Sequence, residues 1–425
     1  MNVGTPTHIE QFRVQHYRSC VETVFDPKLL LSVLIGPNGS GKTNALNGML
    51  LLKKISAIGS RHQREESGAN ECFVSVKFRV GGKKIAYKAR VKYSTDSQNL
   101  DVVVAADERW NLYEITGKKG WIRFPLALLD ISHKSRFGMV HELQAIRTQV
   151  RYRRIYGTIA YRRMRLADEL APSALRSLGK IYEFISGTRY YSASQFTNPS
   201  ECPVSFEVDE DANIQRAFRP NREHLRFMFD LYSAHRKNSN DYREFLSVVG
   251  KAGLGLITDI KYREIVIARS RVEIKTGGRP VKKNIEEKII VPTFLVAGSR
   301  LSPNQLSEGT FKTIALIFYL ITDSGRFLLI EEPEVCVHHG LLASIIELIK
   351  DFSERKQIVV TTHSDYVLDR LSPQNVFLVK NFKTKGTTIK AISKALSLNG
   401  FKALREYLDT TGNLGEFWRH GNLEK

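Results

Sequence analysis

Eight residues near the amino terminus carry the clearest chemistry: Gly36-Pro37-Asn38-Gly39-Ser40-Gly41-Lys42-Thr43. They match the spacing G-x-x-x-x-G-K-[ST]. The glycines let backbone N–H groups turn toward a phosphate, and the start of a helix adds positive partial charge there. Lys42 is placed to neutralise β- and γ-phosphates, and the Thr43 hydroxyl to ligate Mg²⁺. Such a loop needs a strand before it and a helix after it. The apolar run at 29–35 supplies the first, and helical spacing over 44–53 the second.

Three further groups lie in the last third. Phe327-Leu328-Leu329-Ile330 is an apolar run that ends in Glu331-Glu332. This puts two carboxylates at the carboxyl end of a strand, the edge where ligands bind in α/β sheets. Beside a phosphate-binding loop, the first acid can hold Mg²⁺ and the second can orient or deprotonate an attacking water. Taken alone, acids at a strand end are ordinary. Leu306-Ser307-Glu308-Gly309-Thr310 precedes a helical run, so Ser307 reads as an N-cap and Gly309 leaves backbone N–H groups open. Thr361-Thr362-His363-Ser364 follows the run Ile358-Val359-Val360. A single histidine in that position is more often structural than functional.

The elements that must position these groups are legible along the chain. Residues 8–25 read as one strand or two short ones. Residues 71–124 read as antiparallel strands, with Gly81-Gly82 as a hairpin turn. Helical spacing covers 139–186, where Pro172 suits the first turn of a helix, and 221–249 reads as two more helices. Strands return over 257–296 with a turn at 277–280. From 306 the order is helix, strand, helix, strand, followed by a short strand at 375–381 and further helix in the tail. Alternation at both ends predicts an α/β parallel sheet whose middle third is an insertion. The predicted division is 1–130, 131–290 and 291–425.

Composition sets the limits. The chain has 425 residues, 42% apolar and 25% charged, which excludes wholesale disorder and a small disulfide scaffold. The longest apolar run, at 314–321, is far short of the roughly 20 residues that span a bilayer. The amino-terminal stretch lacks a hydrophobic signal core. Cys20, Cys72, Cys202 and Cys336 are far apart, leaving no zinc spacing. A cytoplasmic protein without a membrane partner is expected. The net charge of +20 draws polyanions such as nucleic acid, anionic lipid or acidic protein, or serves solubility alone.

Order and spacing together make the chain resemble the ABC-type ATPases. Ser307 precedes Glu332 by 25 residues and His363 follows it by 31. Walker A (36–43), a signature, Walker B (327–332), a segment leading through the D-loop and a switch histidine follow in that family's order. The signature is a variant, with Glu308 in place of a glycine and Thr310 in place of glutamine. The fold implied is α/β, a P-loop NTPase of ABC-ATPase type, split by a large mixed β and helical insertion. The cofactors implied are ATP and Mg²⁺. Two chains would sandwich ATP head to tail, with Ser307 and Gly309 of one contacting the γ-phosphate held by Lys42 of the other. Glu332 would be the catalytic acid–base residue, and His363 would sense or orient the γ-phosphate.

The separation of 289 positions from Lys42 to Glu331 exceeds what transporter domains carry. The opening resembles RecF, SMC and OLD-type ATPases, in which the triplet matched by Tyr17-Arg18-Ser19 implies that Arg18 lies near the nucleotide. LLIEEPE, TTHS and the tail resemble AAA family ATP-binding proteins of bacterial defence loci, of PARIS-like, Septu-like or retron-linked kind. That resemblance implies an ATPase and sensor working with a separate effector such as a nuclease, triggered by foreign DNA or an acidic phage protein. A RecF-like DNA repair protein and an ATP-gated scaffold caging a partner are the alternatives. The 62 residues after His363 are too few for the Toprim domain of OLD nucleases, and Asp209-Glu210-Asp211 reads as a solvated turn. Gln144 and Gln149 match a Q-loop by position only.

One basic cluster belongs to none of these motifs. Arg147, Arg151, Arg153, Arg154, Arg162, Arg163 and Arg165 are interleaved with Tyr152, Tyr156 and Tyr161. This pattern suits a surface for nucleic acid or an acidic protein. It equally suits a solvated helix face whose tyrosines point to the core.

Overall fold

The computed structural model describes residues 6–57, 69–95, 101–129, 170–192, 196–208, 222–274, 280–335, 337–410 and 412–420. The seven arginines Arg147, Arg151, Arg153, Arg154, Arg162, Arg163 and Arg165, together with Gln144, Gln149 and the acidic triplet 209–211, lie outside the described residues. The chain forms two compact units. One comprises Met1–Tyr190, Ser324–Glu332 and Ser353–Lys425, the other Tyr191–Asp323 and Pro333–Phe352.

The first unit holds an α/β sheet ordered Gly386–Ala391, Val376–Phe382, Leu31–Ile35, Gln357–Thr362, Phe327–Glu331, Arg189–Ser192. The four strands from Val376–Phe382 to Phe327–Glu331 run parallel. Leu31–Ile35 thus inserts between strands from the last quarter of the chain, so one sheet is assembled across a long insertion. Pairing aligns Ile35 with Thr362 and Glu331 with Thr361, which brings three strand ends to one edge. Every residue of Leu31–Ile35 and Gln357–Thr362 is buried, as in a parallel sheet covered on both faces.

A second sheet is antiparallel, ordered Cys20–Phe25, His8–Tyr17, Asn70–Val80, Lys83–Thr95, Asp101–Asn111, Ile122–Arg123. The alternation in CFVSVKFRV becomes an inside and an outside: Cys72, Val74, Val76, Phe78 and Val80 are buried and their neighbours are not. Gly81 and Gly82 have φ of +54° and +82°, the left-handed pair that a tight hairpin between right-twisted strands requires. The buried face packs on the helices Lys42–Ser56 and Pro172–Ser186. At Gly48 the approach is close, because a Cβ there would lie 3.4 Å from a Val14 methyl.

Leu34, Leu46, Phe78, Trp110, Leu178 and Phe327 share one core. The buried Gln357 amide ties the sheets together. It donates to the Ile9 and Lys28 carbonyls at 2.9 and 2.8 Å and accepts from the Ile9 N–H at 2.9 Å.

The second unit combines the helices Arg222–Lys237, Asn240–Val249 and Glu308–Thr322 with a long hairpin, Asp259–Ile274 and Pro280–Val296. Its interior is aromatic. Phe227 meets Phe311, Phe318 and Tyr319 at ring separations of 5.5 to 5.8 Å, and Phe245 meets Phe318 at 5.3 Å. Among the described residues no helix is long and apolar enough to cross a membrane.

Candidate functional site

The loop 36–43 turns between the strand Leu31–Ile35 and the helix Lys42–Ser56, the context its sequence demands. Its glycines are structurally necessary. At Gly36 a Cβ would meet the Val379 carbonyl oxygen at 2.3 Å, and Gly41 has φ of +96° with Thr387 Oγ1 1.9 Å from any Cβ. Gly39 also has a positive φ, at +78°. The helix has no acidic residue in its first turn and carries Lys53 and Lys54 in its last, so its positive end is left for an anion. The Lys42 ammonium donates to the Gly36 carbonyl at 2.7 Å and the Pro37 carbonyl at 3.2 Å. Pro37, Asn38 and Gly39 are exposed at the rim. Ser40 Oγ is buried and has no hydrogen-bond partner among the described residues, a polar atom facing into the loop.

The two acids end the neighbouring strand. Thr43 Oγ1 donates to Glu331 Oε1, and Tyr190 Oη donates to Glu331 Oε2 at 2.5 Å. A hydroxyl and a carboxylate converging in this way form the oxygen donor set that hard divalent cations prefer, so Mg²⁺ fits these residues. Glu332 lies one residue further, with a left-handed φ of +47° and its N–H bonded to the Thr361 carbonyl at 2.9 Å. A non-glycine residue in this region carries strain, and such strain is found at sites whose side-chain direction matters. His363 Nδ1 sits 3.3 Å from Glu332 Oε1. The structure therefore gathers Lys42, Thr43, Glu331, Glu332 and His363 at one sheet edge.

A lattice of hydroxyls and amides holds the loop from the side. Ser19 Oγ and Thr387 Oγ1 are 2.8 Å apart, Thr387 Oγ1 donates to the Ser40 carbonyl at 3.2 Å, and Asn44 donates to Ser19 Oγ at 2.7 Å. Asn381 donates to the Gly39 carbonyl at 3.3 Å. The Arg18 guanidinium pairs with Asp101 Oδ1 at 3.0 Å. Burial works against the Asp101 charge, but the bonds from Tyr17 and Arg18 outweigh it and hold the carboxyl below its ordinary range. Arg18 itself has φ of +51°, so the turn 17–20 aims its guanidinium at Asp101 while Ser19 reaches the loop.

The second unit carries the variant signature. Ser307 caps the helix Glu308–Thr322, its Oγ accepting from the Thr310 N–H at 3.2 Å. Glu308 pairs with the nearly buried Lys312 at 2.7 Å. Gly309 lies in the first turn of this helix.

Tyr190, Ser19, Asn44, Thr387 and Asn381 were not foreseeable as site residues. Of these, Ser19 alone stands in a motif, as the last residue of the triplet 17–19, and Tyr190 reaches Glu331 across 141 positions. The tail also approaches the site. The helix Leu414–Arg419 packs on Asp365–Leu368, just after His363. The Gly415 N–H donates to Asp369 Oδ1 at 2.7 Å, and Arg419 Nε donates to Asp365 Oδ2 at 2.7 Å.

Loop, carboxylates and parallel sheet define a nucleotide-binding protein of P-loop type. Residues 100–369 match the family described as "AAA domain, putative AbiEii toxin, Type IV TA system", and the chain belongs to that family. The match begins after the phosphate-binding loop, so the loop's assignment stands on its own sequence and geometry. Comparison with curated proteins returned no match. Among solved structures the chain is similar to an SMC head bound to the C-winged helix domain of ScpA, at 13% identity and a TM-score of 0.47, covering 93% of this chain and 99% of that one. It is similar also to an SMC head domain from Thermotoga maritima, at 12% identity and 0.39, covering 90% and 98%. A third is the Pyrococcus furiosus Smc head domain with an extended coiled coil bound to the C-terminal domain of ScpA, at 13% and 0.43, covering 95% and 100%.

Proposed function

We propose that this chain hydrolyses ATP as an ABC-type subunit that closes head to tail with a second copy, and that this closure regulates a separate effector in antiviral defence. The observation that carries the ATPase reading is the convergence of Lys42, Thr43, Glu331, Glu332 and His363 at one edge of the sheet. Lys42 and the N–H groups of the loop hold the β- and γ-phosphates, and the rim residue Asn38 faces the nucleotide. Thr43 and Glu331 would hold Mg²⁺, which supplies charge neutralisation to the phosphates when bound. Glu332 takes the proton of the attacking water, and His363 orients Glu332 and reads the γ-phosphate. Ser307 and Gly309 act on the partner copy's nucleotide. Arg18 acts indirectly, by fixing the turn from which Ser19 braces the loop. The effector reading rests on the resemblance to defence-locus ATPases, together with the family's description, "AAA domain, putative AbiEii toxin, Type IV TA system".

Sedimentation of the Glu332→Gln protein with Mg²⁺ and ATP tests the closure. The expected result is a stable dimer or higher oligomer that Ser307→Arg prevents, with turnover per chain in the unmodified protein falling on dilution. Turnover unchanged across a wide dilution series, with Glu332→Gln remaining monomeric, overturns it. Capture of the Glu332→Gln protein from its host then identifies the effector: a stoichiometric protein resistant to nuclease supports regulation, and DNA alone, lost in high salt, supports repair instead.

A further inference from the structure

The antiparallel sheet of the first unit buries one face and leaves the other to solvent, and the open face is basic. Register places outward residues in rows across its strands. Arg13 pairs across to Ser75, Ser75 to Lys88 and Lys88 to Arg109; Phe73 pairs to Arg90 and Arg90 to Asp107; Lys77 pairs to Ala86. Along Lys83–Thr95 alone, Lys84, Lys88, Arg90 and Lys92 point outward.

Part of this charge is neutralised. Arg13 pairs with Glu22, Arg79 with Glu10 and Arg90 with Glu71. Asp107 is shared between Arg109 at 3.7 Å and Arg123 at 2.7 Å. Glu114, at the end of the sheet, spends a carboxylate oxygen on the Lys84 N–H at 2.7 Å. Lys77, Lys84, Lys88 and Lys92 have no acidic side-chain partner among the described residues, so the face keeps an excess of positive charge.

Aromatic rings stand among these charges. Phe73 is 38% exposed and Trp121 is 43% exposed, both unusual for rings of this size. Lys88 Nζ lies 4.2 Å from the Trp121 ring centre, and the His16 ring meets Phe73 edge-on at 6.2 Å. Outward residues on one strand recur about every 6.7 Å, so a phosphate backbone laid along it passes lysine after lysine. An open basic surface with standing rings offers stacking to unpaired bases, which a duplex keeps hidden.

We propose that this open sheet face binds single-stranded nucleic acid, with Lys77, Lys84, Lys88 and Lys92 contacting phosphates and Phe73 and Trp121 stacking on bases. The site lies on the opposite face of the sheet from the helix Lys42–Ser56, and the proposal stands whether or not the chain hydrolyses ATP.

The test is fluorescence anisotropy of the full chain with a labelled oligothymidine, a duplex of equal length and polyglutamate, each titrated over a range of salt. Lys84→Gln/Lys88→Gln/Lys92→Gln is expected to weaken oligothymidine binding at least about tenfold and to lower the salt slope by about 2, because each phosphate contact on a single strand contributes about 0.7. Trp121→Ala, which changes no charge, is expected to weaken it about tenfold at unchanged slope. A control removing three lysines elsewhere, Lys251→Gln/Lys394→Gln/Lys402→Gln, is expected to bind like the unmodified protein. Circular dichroism checks that each variant is folded. Equal loss in the control overturns the proposal in favour of net charge. Unchanged binding in the sheet variants, or duplex or polyglutamate bound as tightly as oligothymidine, overturns it outright.

Discussion

In the α/β sheet, all eleven residues of Leu31–Ile35 and Gln357–Thr362 are buried, whereas along Asn70–Val80 of the antiparallel sheet burial alternates residue by residue. The first sheet spends both faces on packing, so chemistry is confined to where its strands stop: Glu331, Glu332 and His363 beside the loop 36–43. The second spends only one face, and its unspent side carries lysines and rings. Two sheets in one compact unit thus place polar groups by different rules, one at strand ends and one at alternate positions.

The largest effect should come from the strand-end acid. Glu332→Gln is expected to lower steady-state phosphate release by about 10²–10⁴ while equilibrium ATP binding is retained, in the range for removal of a positioned base. Loss of binding together with turnover would make Glu332 a structural residue of the edge.

Packing comes next. Leu329→Ala, within the fully buried core of the parallel sheet, is expected to cost about 2.7–5 kcal/mol, read as a lowered thermal or denaturant midpoint. Ser75→Ala on the open face should stay within about 0.5 kcal/mol. Similar losses at the two positions would erase the contrast between the sheets.

A pH experiment sharpens it. Glu108 points into the antiparallel sheet's buried side, accepting from Tyr87 Oη at 2.7 Å and the Leu126 N–H at 2.9 Å. Burial pushes its carboxyl up to about 7; the two bonds pull it down in part, and Asp107 adds a small upward push. The folded state therefore holds a proton that the unfolded chain, with an ordinary glutamate, releases near pH 4.5. Its contribution is full below that pH and is lost as pH rises through about 7, amounting to about 3 kcal/mol. Glu108→Gln should flatten the fall in stability between about pH 4.5 and about pH 7, as tracked by thermal melts. An unchanged slope would show that Glu108 is charged in the fold.

The smallest effect on the chemistry is expected at Tyr190. Tyr190→Phe removes one bond to Glu331 and should raise the Mg²⁺ concentration for half-maximal turnover about tenfold, equivalent to about 1.5 kcal/mol for a bond to a charged group. An unchanged Mg²⁺ response, with only kcat lowered, would remove Tyr190 from the metal site.

Much of this was readable in the sequence, for a physical reason. The loop 36–43, the hairpin at Gly81-Gly82 and the strand that ends at Glu331 depend on local backbone geometry, which neighbouring residues encode. The braces around the loop depend on contacts between residues far apart. Ser19 meets Thr387 across 368 positions, and Gln357 meets Ile9 across 348. A serine, a threonine and a glutamine carry no periodic signal that names their partner. Arg18 shows the same limit: a local triplet singles it out, but nothing local names Asp101, 83 positions away, as a partner of its guanidinium.

The tail that grips Asp365–Leu368 has an optical consequence. Of the three tryptophans, Trp110 is locked against Phe124 in the core and Trp121 stands in solvent, whereas half-buried Trp418 lies in the helix Leu414–Arg419. With Trp110 and Trp121 replaced by phenylalanine, its intrinsic emission becomes a gauge of the segment after His363, readable without a dye.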